Sequence, residues 1–155
     1  MSIDRARTYL KTWNRESEII EFDVSSATVE LAAKALKTEE CRIAKSLAFK
    51  VNDRPLLIVT AGNRKIDNRK YKTEFGAKPR MLSHEEVEEM IGHEVGGVCP
   101  FGVKDEVDVY LDVSLQAYDS IFPACGSSNS AIEMTYQELE EISGSRKWVD
   151  VCKEK

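Results

Sequence analysis

The sequence predicts an α+β domain built around a mixed sheet. Three observations predict it. Short strand-like runs rich in Ile, Val, Leu and Phe are interleaved with short helical ones. The two kinds do not alternate regularly, so a repeated βαβ pattern and its all-parallel sheet are excluded. No internal repeat and no linker-like segment divides the 155 residues, so a single domain over 1–155 is expected.

The elements follow in order. Ile3–Trp13 reads as a short amphipathic helix with Ser2 as its cap, and Ile19–Phe22 as a short strand. Ala27–Lys37 is helical, with Ser25 and Ser26 as caps. Arg42–Val51 and Leu56–Ala61 are strands, joined as a hairpin by Asn52-Asp53-Arg54-Pro55. Asp67 caps a helix running through Phe75 and ended by Gly76. Ser83 with Glu86 forms a capping box for a helix ending at Gly92. After the glycine-rich turn Gly96–Gly102 come a strand, Val107–Leu111, and a short helix, Val113–Tyr118. Ile121–Cys125 and Ala131–Met134 are strands joined by Gly126–Ser130. Thr135 with Glu138 is a second capping box, for a helix to Ser143, and Lys147–Cys152 closes the chain as a strand.

Composition narrows the class. With 42% hydrophobic and 32% charged residues the chain is too apolar for disorder. A chain of this length buries roughly 68–70% of its unfolded surface, so it needs no disulfide or metal staple. The start, MSIDRARTYLKTW, lacks the apolar run of a signal peptide, and no stretch approaches the roughly 18 apolar residues of a membrane span. A cytoplasmic protein without membrane partners is expected. Cys41, Cys99, Cys125 and Cys152 form no CxxC pair, which excludes zinc-ribbon and thioredoxin-type sites and leaves free thiols as the expectation.

Charge is unevenly placed. Residues 42–80 carry eleven Lys and Arg against three acids, a local balance of +8 in a chain of net −5. A basic segment in an acidic chain points to an anionic partner such as RNA or a phosphorylated ligand; the plain alternative is a solvated helix and two turns. Within the segment, strand alternation puts Lys45 on one face with Ile43, Leu47, Phe49 and Val51. An ammonium among apolar side chains is unfavourable unless it lines a pocket that receives an anion, or its stem packs while the amine reaches water.

Two loops of small residues are the other candidates. Gly96-Gly97-Val98-Cys99-Pro100-Phe101-Gly102 can turn backbone N–H groups toward a phosphate or an oxyanion, or can simply be a tight turn. Cys125-Gly126-Ser127-Ser128-Asn129-Ser130 offers hydroxyls and an amide, or is an ordinary hairpin loop. No Walker loop, GxGxxG or GxSxG is present. His84 and His93 flank a predicted helix, and a solvated role is expected for His84.

Arg42-Ile43-Ala44-Lys45-Ser46-Leu47, the Gly96-x-x-x-Pro100 loop and the late Gly126 loop together resemble the YbaK/EbsC family, from about Ile19 to Val151 and in the family's order. That family comprises free-standing aminoacyl-tRNA deacylases and the related editing insertion of bacterial prolyl-tRNA synthetase. The resemblance implies a barrel-like mixed sheet wrapped by helices. It implies hydrolysis, without metal or cofactor, of the ester joining a wrong amino acid to a tRNA 3′ end, with tRNA(Pro) carrying a small wrong amino acid as the expected substrate. Lys45 would engage the substrate end, and the Gly96–Pro100 loop would supply backbone contacts near the ester. The expected partners are the tRNA acceptor end, met by segment 42–80, and an aminoacyl-tRNA synthetase. The expected site is therefore Lys45, Gly96 and Gly97 for catalysis, with Phe22, Pro100, Gly126, Ser127, Ser128 and Asn129 binding substrate.

Three mechanisms are compatible with these residues. In the first, Lys45 pairs with the terminal phosphate or polarises the ester, Gly96 and Gly97 N–H groups hold the oxyanion, and a positioned water or substrate group attacks. In the second the chain binds tRNA or a synthetase without hydrolysis. Phe22, where some deacylases carry tyrosine, and Ala131, where some carry an acid, motivate it. In the third a thiol, Cys99 or Cys125, is the nucleophile.

Overall fold

The structure, a computed structural model, describes residues 2–155, with side chains from Ile3 onward. Helix α1 (Ser2–Lys11) begins at the residue read as its cap, whose side chain lies outside the described part. Strand β1 (Ile20–Glu21) follows, then helix α2 (Val29–Leu36). The cap of α2 is Thr28, which accepts from Leu31 N, and not Ser25 or Ser26. Those serines are engaged elsewhere: Ser25 accepts from Ala27 N, and Ser26 donates to the Ser128 carbonyl.

Strands β2 (Ile43–Val51) and β3 (Arg54–Ala61) form the expected hairpin. Its loop is shorter than the sequence suggests. Asn52 (φ +52°) and Asp53 (φ +64°) alone make the turn, in the doubly left-handed form that matches strand twist, so Arg54 and Pro55 belong to β3. Strand β4 (Arg64–Ile66) follows, and then helix α3 (Asn68–Phe75), capped by Asp67 and closed at Gly76 as expected. The Ser83–Glu86 capping box opens α4 (His84–Glu86), which continues as a π turn over Val87–Ile91 to Gly92. Next come β5 (Asp108–Asp112), a 3₁₀ turn over Val113–Ala117, β6 (Ser120–Pro123), β7 (Ser130–Ala131) and β8 (Met134–Thr135). The Thr135–Glu138 capping box opens α5 (Tyr136–Ser143), and β9 (Trp148–Val149) and β10 (Cys152–Glu154) end the chain.

Two strand expectations are corrected. The run Ala131–Met134 divides, with Ala131 pairing Ile20 on β1 and Met134 pairing Ile121 on β6. The closing strand Lys147–Cys152 also divides: β9 joins β5, while β10 joins β4. Asp112 causes the break, because its carboxylate accepts from Val151 N at 2.9 Å and draws that peptide off the ladder.

Among the described residues the main sheet has the order β8-β6-β2-β3-β5-β9 and curls as a half-barrel with short helices around it. It is mixed: β2–β3 and β6–β8 run antiparallel, while β2–β6, β3–β5 and β5–β9 run parallel. Both faces of the hairpin are covered. Ala44, Ala48, Leu57 and Val59 face the larger core, with Leu10, Ile91, Phe101, Leu115 and Leu139. Phe49, Leu56 and Ile58 face a second layer, where Tyr71 and Phe75 of α3 stack in a chain with Phe49 and Tyr110 at 4.7–5.2 Å between centroids. Helix α2 packs on Ile43 and Phe122 through Ala32, Ala33 and Leu36. Burial of these apolar side chains, at about 25 cal/mol per Å², drives the assembly.

Candidate active site

The outer edge of β2 is incomplete, and that gap makes the site. Strand β6 covers the edge at Ile43 and Ala44. The Arg80–Leu82 segment covers it again from Ala48, where Leu82 N donates to the Ala48 carbonyl at 3.1 Å and Lys50 N to the Arg80 carbonyl at 3.0 Å. Between them a cleft of about 460 Å³ opens over Lys45, Ser46 and Leu47. The start of α2 (Ser26–Val29) forms one wall, Met81 to Val87 a second, and Val95, Gly96 and Val98 a third. Phe122, Ala124, Ser130 and Ala131 close the remaining side.

The lining is largely apolar, with Ser26, Thr28, Ser46 and Ser130 supplying hydroxyls. Lys45 and His84 are its titratable side chains. Lys45 shares its face with Leu47 and Phe49, as alternation predicts, and its amine donates to the Arg64 carbonyl. That carbonyl belongs to β4, which β10 holds in place through the pairs Ile66↔Cys152 and Arg64↔Glu154. Burial pushes the Lys45 ammonium below the ordinary lysine range, and the charge of Lys155 pushes the same way. Cys152 and Glu30 oppose the shift. No ion pair holds Lys45 among the described residues, so its charge is available to an incoming anion.

The two glycine loops meet behind the cleft. Gly96 lines the cavity, with Ala27 and Ser128 as the neighbours a Cβ would touch, at 3.4 and 3.5 Å. Gly97 lies behind it, stacked on the Gly126 peptide, and its N–H already donates to the Glu94 carbonyl at 3.0 Å. Pro100, Gly126 and Ser127 are buried behind the wall rather than on it. Ser127 hydrogen-bonds Asn129 and Ser130, and Asn129 Nδ2 donates to the Phe22 carbonyl. Phe22 N in turn donates to the Asn129 carbonyl. The structure thus brings Lys45 and Gly96 to the cavity surface, and arranges Phe22, Gly97, Pro100, Gly126, Ser127, Ser128 and Asn129 as the frame that shapes it.

Cys99 and Cys125 are buried, which raises the Cys99 thiol to about 12 and Cys125 well above its ordinary value. Neither lines the cleft, so neither is placed as a nucleophile. His84 does line it, from the first turn of α4. Ser46, Met81 and the Ser26–Val29 wall were not singled out by sequence. Only the position of Ser46 beside Lys45 on the same strand could have signalled any of them.

In the basic segment, Arg42, Lys50, Arg54, Arg64 and Lys70 pair with Glu133, Glu86, Asp108, Glu154 and Asp150. Lys65, Arg69, Lys72, Lys78 and Arg80 are exposed and unpaired among the described residues. Lys78 and Arg80 stand with Lys50 around a second depression that ends beside Met81, on the rim of the main cleft.

The family model of the aminoacyl-tRNA editing domain matches residues 24–142, a span that contains every wall of the cleft. The chain belongs to the aminoacyl-tRNA editing domain family. It is 55% identical over 155 residues to the uncharacterized protein YwhH of Bacillus subtilis (strain 168), covering 99% of both chains. It is 29% identical over 124 residues to the proline–tRNA ligase of Bacillus cereus (strain AH820), covering 79% of this chain and 21% of the ligase. A solved structure of a candidate trans-editing enzyme for prolyl tRNA synthetase superposes with a TM-score of 0.88 at 29% identity, covering 98% of this chain and 97% of that one. Among the described residues no helix is long and apolar enough to cross a membrane.

Proposed function

We propose that this editing domain is a metal-independent aminoacyl-tRNA deacylase acting in trans, on a tRNA(Pro) carrying a small wrong amino acid. The observation that carries the reading is Lys45: an ammonium without an ion-pair partner among the described residues, on the wall of a small apolar cleft that Gly96 also lines. The family supports the editing role, and the likeness to a proline–tRNA ligase supports the choice of tRNA.

The acceptor end approaches over the unpaired cations, with Lys78 and Arg80 nearest the rim. Lys45 pairs with the terminal phosphate or the ester oxygens. A water attacks the ester carbonyl carbon and gives up the proton that the departing ribose oxygen takes. The tetrahedral oxyanion collapses, the bond to the ribose oxygen breaks, and that oxygen takes a proton as the amino acid leaves. Gly96 offers backbone to the reacting group, and the Gly97–Gly126 stack keeps that wall in place. Positioning supplies most of the rate. A separate editing step is useful because one methylene gives only about 10–200-fold discrimination.

The test is hydrolysis of Ala-, Cys- and Ser-charged tRNA(Pro) by the wild type and by Lys45→Ala. The reading expects one ester to be lost with the wild type alone. Undiminished turnover in Lys45→Ala would remove Lys45 from the mechanism. Binding of tRNA without loss of any ester would replace the deacylase with a non-catalytic tRNA- or synthetase-binding module.

A further inference from the structure

An amino acid esterified to tRNA carries an α-amino group, and a site selective for such esters needs acceptors for it. The cleft has no carboxylate and no carboxamide on its lining, and Lys45 would repel an ammonium. Beside the side-chain hydroxyls and His84, the backbone offers carbonyl acceptors fixed in direction, and the gap in β2 supplies one. Peptide groups of a strand point alternately to its two edges. The Ile43 carbonyl accepts from Gly62 N on the β3 side, while Ala48 and Lys50 bond outward to the Arg80–Leu82 segment. Ser46 has the parity of Ala48 and Lys50, so its N–H and C=O point outward. Its inner edge is in register with Val59 of β3, and its outer edge lies between the stretch covered by β6 and the stretch covered by residues 80–82, where no strand pairs with that edge among the described residues.

We propose that the aminoacyl group binds as a single added strand residue opposite Ser46: its α-amino group donates to the Ser46 carbonyl, and its ester carbonyl accepts from the Ser46 N–H. This rests on the deacylase reading above. Exchange of both bonds with one residue is the ordinary pairing of antiparallel strands. An L-residue so paired puts its side chain on Ser46's own face of the sheet. There Ala44 and Ala48 form the floor, with Leu82, Val87 and Val98 beside them. Lys45 stands on the opposite face, toward the nucleotide. One peptide edge would thus select the free amine, orient the side chain into the apolar pocket and polarise the bond to be broken. The substrate class is an ester of an L-amino acid with an unmodified α-amino group.

The test uses 3′-deoxy-3′-alanylamido-adenosine, an amide analogue that is not turned over. It is compared with its N-acetyl derivative and with the propionyl compound that lacks the amine. The proposal expects the alanyl compound to shift the Ser46 amide resonance, and the other two to bind about tenfold or more weakly, the cost of one lost hydrogen bond in a shielded site. Equal affinity for all three, an unmoved Ser46 resonance, or no binding at millimolar ligand would overturn it. Ser46→Pro removes the outward N–H and keeps the ladder to β3, which Lys45 and Leu47 make; loss of one such donor lowers turnover about 10²–10³-fold. If that variant fails to fold, the ligand series still decides. Equal hydrolysis of alanyl- and N-acetylalanyl-tRNA would overturn this inference and leave the deacylase reading standing. Hydrolysis of no ester would overturn the deacylase reading itself.

Discussion

Gly97 rests directly on the peptide of Gly126. A Cβ built on Gly97 would lie 2.5 Å from both the Gly126 carbonyl carbon and Ser127 N. Two loops about thirty residues apart are thereby stacked backbone on backbone, and the cleft wall that carries Gly96 stands on that stack.

The Gly97→Ala variant should therefore be destabilised. The obstacle is backbone, which cannot rotate away as a side chain would, and overpacking of this kind costs about 3 kcal/mol. Chemical denaturation would measure it. Activity should fall at temperatures where the variant is still folded, because the Gly96 wall moves with the stack. Stability equal to the wild type would show that the loops separate without cost.

Asp112 should matter more to stability than its distance from the cleft suggests. It is 1% exposed, and its two oxygens accept from Val151 N at 2.9 Å and Ser114 N at 3.0 Å. Asp112→Ala leaves a buried N–H unsatisfied at Val151, a loss of about 2–3 kcal/mol. It should also loosen β10, hence β4 and the Arg64 carbonyl that receives Lys45. Urea unfolding and ester turnover on the same samples would show both effects; a drop in stability with unchanged kcat would break the link to Lys45.

The alkaline limb of activity should lie below the ordinary lysine range. Burial lowers the Lys45 pKa first and the charge of Lys155 second, against the opposing pull of Cys152 and Glu30. If the ammonium is the working form, activity falls as pH rises through this lowered value. Lys155→Glu should move the limb upward. Lys45→Arg should abolish it over the same range, since guanidinium stays charged. A background-corrected pH profile of kcat/KM would check this, and a limb indifferent to Lys155 would contradict it.

At acid pH, Glu86 should report on Lys50. The Lys50 hydrogen bond, followed by the Ser83 N–H, lowers the Glu86 carboxyl to about 2. A carboxyl depressed in the folded state contributes stability above its ordinary pKa, and that contribution is lost as pH falls from there through about 2. Lys50→Met should shift the loss to higher pH. Following the Glu86 side-chain resonance against pH would show it, and an unchanged midpoint would assign the depression to the helix cap alone.

Much of the local structure was legible because its causes are local. Asp67, Ser83 and Thr135 cap the helices that their neighbours predict, since a cap acts within four residues. The Ser25–Ser26 cap failed because Ser26 is drawn to the Ser128 carbonyl, a partner 102 residues away. Strand β4 went unread because three residues, two of them cationic, carry no alternation to see. In the site, Lys45 and the two glycine loops stood out as chemical anomalies. Which of the loop residues reach the cavity did not, because Gly96 and Gly97 are adjacent in sequence and face opposite ways.

By itself the sequence determined the element types, the face on which Lys45 lies, the family resemblance and the three segments that meet at the site. Propensity, capping and alternation are properties of neighbours, and each is complete within a few residues. Only the tertiary structure decided that the Arg64 carbonyl receives the Lys45 amine, that Gly97 stacks on Gly126, and that β2 is left open at Ser46 between β6 and residues 80–82. Each joins separate stretches of the chain, and their meeting is set by how three apolar layers bury together rather than by any one stretch of residues.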